Sequence, residues 1–247
     1  MKKSIFITLL FAVILSTTAS ASDTLYVYGP GGPFGPFNEA AAVFSAKNNI
    51  PVKVIAGPEP NWINAAKQNA DIFFGGAEYM LDNFILKYPE LVNTSTREGL
   101  YIRGAGMLVR PGNPKKIKLV TDMAKPGVKI LIVAGSGQTA MWEDLLAQKG
   151  FMDDVRKNIY YVADNTATAI KKWKENPEID VFINYASWYY RLKDITELVA
   201  IRRKKNIYRG TPVMVSKITD QQTAALQFIQ FLKTPKAHSI FKKWGWE

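Results

Sequence analysis

Short apolar segments alternate with amphipathic helical ones along almost the whole chain, and this alternation confines the fold to the α/β class. Thr24 to Tyr28 reads as a strand ending in the turn Gly29-Pro30-Gly31-Gly32-Pro33. A helix is expected from about Pro36, with Phe37, Ala40, Ala41 and Phe44 on one face. Val52 to Ala56 and Asp71 to Phe74 read as strands, with helices over Trp62 to Asn69 and Tyr79 to Tyr88. Further strands are expected at Gly104 to Arg110, Lys129 to Val133, Ile159 to Ala163, Val181 to Asn184, Val199 to Arg202 and Thr211 to Val215. Helices are expected at Val120 to Ala124, Thr139 to Gln148, Thr168 to Glu175, Asp220 to Leu232 (capped by Asp220 or Thr219) and Pro235 to Lys243. The chain has no repeat of solenoid length, and no Pro/Ser-rich linker parts two halves, so any passage between lobes runs through strands.

The first twenty-one residues read as an export signal. Lys2 and Lys3 form a positive start, Ile5 to Leu15 an apolar run, and Ala19-Ser20-Ala21 a cleavage site. The apolar run is shorter than the roughly 20 residues a membrane span needs, and no later stretch qualifies. Cleavage after Ala21 would leave a mature chain starting at Ser22, in the periplasm or beyond it at the cell surface. With no cysteine there is no disulfide and no lipid attachment point, so stability has to come from the core. The formal charge is +11, or +9 without Lys2 and Lys3. Such a surplus raises nucleic acid as a partner, but export argues against it, and only Arg202-Arg203-Lys204-Lys205 is a basic run. A general field that attracts anions is the better reading, with many individual lysines serving only solubility.

Three strand-to-helix junctions share one design: the Gly31-Gly32 turn, Gly75-Gly76-Ala77, and Gly135-Ser136-Gly137-Gln138-Thr139. Small residues there let a ligand approach the backbone, and unpaired amides at a helix start, with the helix dipole, favour an anion. One such junction is as often just a tight turn. Three together point to a pocket, because ligands of α/β folds gather at the carboxyl ends of strands. Tyr185 and Ser187, just beyond a strand, are candidates for the same pocket. Arg103 could pair with a carboxylate or phosphate, although an exposed arginine would look the same in sequence.

Enzyme chemistry finds few players. His238 is the only histidine and sits late in the last helix, no Cys/His metal spacing occurs, and Glu143 and Asp144 fall where they would complement a helix dipole. Gly135-x-Gly137-x-x-Ala140 fits the relaxed dinucleotide fingerprint, but the acidic partner about 20 residues on is missing. No catalytic residue, metal site or cofactor is therefore assigned.

Five segments carry a resemblance. Asp71 to Glu78, Gly106 to Pro114, Lys118 to Ala124, Asp180 to Ser187 and Phe228 to Gly245 resemble the molybdate- and sulfate-type periplasmic binding proteins. The opening Tyr28-Gly-Pro-Gly-Gly-Pro, Gly137 to Asp144, and the ending Phe241-Lys-Lys-Trp-Gly-Trp-Glu are similar to the accessory colonization factor AcfC and Paa subgroup. The resemblance implies a type II periplasmic binding fold: two α/β lobes joined by two crossover strands, with a ligand cleft between them. The expected lobes are residues 22–105 plus 208–247, and 106–207. It implies a ligand site at Gly31, Gly32, Gly75, Gly76, Ala77, Ser136, Gly137, Gln138, Thr139 and Tyr185, to which the residues themselves add Arg103 and Ser187. Gly75-Gly76 stands where the molybdate pattern has serine-alanine, and the Gly135 loop lacks that family's proline-alanine step. These departures suit an organic acid or phosphorylated small molecule better than a bare oxyanion. The resemblance further implies a small anionic ligand and a membrane transporter as partners. It also implies relatives that form homodimers, and a role in adhesion at a host surface.

Overall fold

A computed structural model of the chain describes residues 24–146 and 150–247. The export-signal reading of residues 1–21 lies outside the described residues. In chain order the elements begin β1 (Leu25–Gly29), α1 (Phe34–Asn48), β2 (Val52–Ala56), α2 (Ile63–Asn69), β3 (Ile72–Phe74), α3 (Glu78–Lys87) and β4 (Glu98–Val109). There follow β5 (Ile130–Val133), α4 (Met141–Leu146), α5 (Met152–Asn158), β6 (Ile159–Ala163), α6 (Thr166–Glu175), β7 (Val181–Tyr185), α7 (Tyr189–Leu192) and β8 (Glu197–Ala200). The chain closes with β9 (Tyr208–Val215), α8 (Gln222–Leu232) and α9 (Pro235–Lys243).

The strands run β2-β1-β3-β9-β4-β7-β5-β6, with β8 paired to β4 off this path. In the first half β1 pairs parallel with β2 and β3, and β3 pairs antiparallel with β9. In the second half β5 pairs parallel with β6 and β7. β4 belongs to both. Its Glu98–Gly104 stretch pairs with β9, and its Ala105–Val109 stretch with β7. The return passage runs beside it, where the Ala105 amide donates to the Ile207 carbonyl and Asn206 Nδ2 donates to the Ala105 carbonyl (3.0 Å).

Strand periodicity distributes the core. Successive side chains of a strand face opposite sides of the sheet, so in the first half β1 sends Leu25 and Val27 to one cluster and Tyr28 to another. β3 divides Ile72 and Phe74 from Phe73 in the same way, and β9 divides Val213 and Val215 from Met214. On one face Phe37 of α1 stacks on Phe74 with ring centroids 4.2 Å apart, and Phe241 of α9 meets Phe37 edge-on. Each such buried aromatic pair adds about 0.5–1.5 kcal/mol beyond its area term. On the other face Trp62, Phe73 and Phe84 pack together. The second half has its own cluster, drawn wholly from the stretch Ala105 to Leu192.

Several expected boundaries shift. β4 begins six residues before Gly104, because its first stretch is held by β9 and not by burial on both faces. α6 begins at Thr166, one helical half-turn before the expected Thr168, since the side chain of Asn165 accepts from the Thr168 amide and caps the helix there. α8 takes neither expected cap. Thr219 instead hydrogen-bonds Asp71 and accepts from the Gln221 amide, leaving Gln221 at the helix start without a side-chain cap. The helix expected from Thr139 starts at Met141, after a single 3-10 turn over Ser136–Gln138.

Candidate functional site

The two halves of the sheet meet at their glycine turns. A Cβ built on Gly137 would lie 3.4 Å from the Gly76 carbonyl oxygen and 3.3 Å from the Met80 sulfur, so the two turns face each other at contact distance. The Tyr79 hydroxyl, from the first half, donates to the Ser136 carbonyl of the second. Beside this contact lies a cavity of about 290 Å³, at the small end of the roughly 300–1,000 Å³ typical of ligand pockets.

Arg103, on β4 where it passes between the halves, lies against this cavity and is 2% exposed. Its Nη2 donates to the Gly76 carbonyl (2.9 Å), while Nε and Nη1 have no hydrogen-bond partner in the protein. Among the described residues no carboxylate forms an ion pair with it. Its Cζ sits 3.8 Å from the ring centroid of Tyr185 and 5.0 Å from that of Trp246. Burial pushes its pKa down to about 10, so at neutral pH a desolvated positive charge faces the cavity with two donors free. Such a charge is costly unless something anionic neutralises it.

The surrounding backbone leaves room for that anion. A Cβ on Gly32 would fall 2.8 Å from Arg103 Nη1, and one on Gly76 3.3 Å from Nη2, so side chains at either position would intrude on the guanidinium. The amides of Gly32 and Gly76 find no acceptor among the described residues. Asn165, Thr166 and Ala167 also line the cavity and bring the start of α6 to it, where first-turn amides have no partner within their helix. The lining holds two guanidiniums, Arg103 and Arg191, and no carboxylate.

Of the residues singled out from sequence, Gly31, Gly32, Gly76, Arg103, Ser136, Gly137 and Gln138 line this cavity. Gly75 lines an adjoining one of about 200 Å³, beside Trp62 and Phe84. Ala77 is buried at the start of α3, and the Thr139 hydroxyl donates to the Ser136 carbonyl (3.2 Å). Tyr185 lies beneath Arg103, fully buried, with its hydroxyl donating to the Gly137 carbonyl. Burial pushes that hydroxyl up to about 12. Ser187 is buried with its Oγ unpartnered, has its backbone beside Gly245, and does not line the cavity. Gln138 is anchored, donating to Thr166 Oγ1 (2.8 Å) and Asn184 Oδ1 (2.7 Å).

Sequence reasoning missed Arg191 and the start of α6. Arg191 Nη1 donates to the Gly31 carbonyl across 160 positions of sequence (3.0 Å), which no local pattern reveals. The Asn165 cap was visible in principle, as an Asn three residues before Thr168. His238 is not part of the site; its ring stacks on Tyr101 with centroids 4.6 Å apart. Among the described residues no group of three His, Cys, Asp or Glu could hold a metal ion, and no helix is long and apolar enough to cross a membrane.

A two-halved α/β fold with a cation-floored cleft at its waist defines a class, the binding proteins that enclose a solute. Residues 25–247 match the family model described as bacterial extracellular solute-binding protein, and the chain belongs to that family. The structure is similar to that of PEB3 with bound L-phospholactate (30% identity, TM-score 0.84, 90% of this chain and 99% of that one). A further structure of Peb3, from Campylobacter jejuni, matches at 30% identity and TM-score 0.83 over the same shares of the two chains. The periplasmic molybdate-binding protein of Azotobacter vinelandii, 17% identical with TM-score 0.67 over 90% of this chain and 98% of that one, shares the fold. These neighbours place the architecture in the type II class of periplasmic binding proteins. The sulfate-binding protein of Synechococcus elongatus is 29% identical over 160 residues, covering 56% of this chain and 45% of that relative's length.

Proposed function

We propose that this protein is an exported receptor that captures a small organic acid, phosphorylated or otherwise anionic, in the cleft between residues 22–105 plus 208–247 and residues 106–207. One observation carries the reading: Arg103 is buried with two unpartnered donors and no carboxylate opposite it, beside a cavity whose near walls are glycine. Free backbone amides at Gly32, Gly76 and the start of α6 supply neutral donors around that charge. The relative that carries L-phospholactate supports a phosphorylated acid over a bare oxyanion, and the sulfate-binding relative supports an anion in general.

In this reading the segment 1–21 directs export and is cleaved after Ala21. The ligand bridges the Gly31-Gly32 and Gly76 turns of one lobe to the Ser136–Gln138 turn of the other. The closed form, held by that bridge, is what a membrane transporter accepts. Binding, not turnover, is the output.

A ligand that binds only the folded state raises the melting temperature by mass action. A thermal-shift panel of phosphorylated and carboxylated small acids on the mature protein should therefore give at least one responder at millimolar concentration. Native mass spectrometry of protein purified without denaturation should show a matching co-purified mass. A panel with no responder, together with an empty mass spectrum, defeats the proposal.

A further inference from the structure

The cavity beside Arg103 adjoins an annex of the opposite chemistry. This second cavity, of about 200 Å³, shares Pro30, Gly57, Met80 and Ser136 with the first. Its deeper walls are Trp62, Phe73, Leu81 and Phe84, all buried, from the face of the first half's sheet that carries Phe73. Apart from the exposed Ser136, its polar side chains are already committed. Trp62 Nε1 donates to the Gly57 carbonyl (3.1 Å), and the Glu59 carboxylate accepts from Lys87 Nζ (2.5 Å) and the Tyr88 hydroxyl (2.8 Å). Such a recess offers a water few of the roughly two to four polar partners it needs, so hydrocarbon fills it more favourably. A cavity of about 150 Å³ lined by apolar side chains is enough for benzene, so this one has room for a branched alkyl group or a phenyl ring.

The two cavities join at Gly76. A Cβ built there would stand 3.1 Å from Met80 Sδ and 3.3 Å from both Arg103 Nη2 and Pro30 Cγ. The guanidinium and the mouth of the annex are thus reached from one point, which glycine leaves open. Met80 Sδ is also 3.3 Å from where a Cβ on Gly137 would fall. Its unbranched, flexible side chain can move to admit or cover a group entering the annex. We propose that the annex is a specificity subsite for an apolar substituent of the ligand. With an anionic group on Arg103, an alkyl or aromatic side chain larger than methyl passes Met80 and packs against Trp62 and Phe84. The preferred ligand is then an acid charged at one end and apolar at the other, and Leu81 and Phe84 set how bulky the apolar end can be. The proposal rests on the anion-receptor reading above.

The test is calorimetry of the mature protein with L-phospholactate and with its homologues carrying an ethyl, isobutyl or benzyl group in place of the methyl. A fully buried methylene is worth about fourfold in affinity, so binding should tighten at least tenfold from the methyl to the isobutyl compound. The series is repeated on Leu81→Phe, which adds bulk to the annex, and on Phe84→Leu, which removes it; neither residue lines the cavity beside Arg103. The readout is the ratio of affinities within each protein, isobutyl or benzyl over methyl, which a general loss of stability does not move. Leu81→Phe should abolish the gain, and Phe84→Leu should shift preference toward the benzyl compound. The native series and Phe84→Leu decide the matter if Leu81→Phe does not fold. A native protein that binds L-phospholactate and gains nothing from the larger groups, or a gain that the folded variants leave unmoved, overturns the annex proposal alone. A native protein that binds neither the series nor inorganic phosphate overturns the receptor reading itself.

Discussion

The guanidinium of Arg103 rests 3.8 Å above the ring of Tyr185, and the Tyr185 hydroxyl is itself committed to the Gly137 carbonyl. This pair joins the crossing strand β4 to the end of β7 and to the glycine turn of the second half. A cation held against an aromatic face keeps its orientation without losing its charge. In the proposed receptor, Tyr185 would act on a ligand through Arg103 and through the Gly137 turn.

Tyr185→Phe should keep the ring beneath Arg103 and lose only the bond to Gly137. Leaving that buried carbonyl short of a donor should cost about 1–2 kcal/mol of stability, with ligand affinity falling only a few-fold. Tyr185→Leu, which removes the aromatic face, should weaken ligand binding much more. Chemical denaturation and calorimetry on the two variants separate these effects.

Arg103→Met should stabilise the empty protein. Replacing buried charge with a well-packed apolar group is often neutral or stabilising by about 1–4 kcal/mol, and here no ion pair among the described residues is lost. The pH dependence follows from the direction of the shift. Burial lowers the folded-state value of Arg103 to about 10, below the ordinary range of an arginine. The folded state thus carries the cost of the charge at all pH values below about 10, and sheds it as pH rises from there toward the ordinary arginine range. The stability gap between Arg103→Met and the native protein should be constant from pH 6 to 9 and narrow only above that. Urea unfolding midpoints at several pH values measure it.

The glycines divide into two kinds, and alanine substitution should separate them. A Cβ at Gly135 would meet the Asp164 carbonyl oxygen at 2.2 Å, backbone against backbone, so Gly135→Ala should destabilise the fold by roughly 1–3 kcal/mol. A Cβ at Gly32 meets the guanidinium of Arg103, at 2.8 Å from Nη1 and 3.1 Å from Nη2. Gly32→Ala should leave the unfolding midpoint nearly unchanged and lower ligand affinity at least tenfold by displacing the guanidinium. Equal stability loss in both variants would remove Gly32 from the site.

Much of this architecture was legible along the chain, and the parts that were not share a cause. Leu25, Val27, Ile72 and Phe74 alternate or run together as buried strands do, and the glycines after β1, β3 and β5 mark the turns. Glu98 to Arg103 carries no such pattern, because that stretch takes its strand conformation from pairing with β9, through a register shift between Gly99 and Ile102. Thr219 has the chemistry of a helix cap, but Asp71, 148 positions away, claims its hydroxyl. Arg103 was legible as a residue type and not as a buried one. Arg191 reaches the cleft only because two distant turns are brought together, and Ser187, although next to β7, does not line it. Local pattern specifies elements; tertiary apposition selects which of their side chains line the cavity.

In the proposed receptor, Arg103 is the charge that holds the ligand. The most direct measurement is calorimetric titration of L-phospholactate into the mature protein, stripped of bound solute by unfolding and refolding, beside the same titration into Arg103→Met. The native protein should bind one-to-one, and the variant should lose at least a hundredfold in affinity while staying folded. Comparable affinity in the two proteins would contradict it.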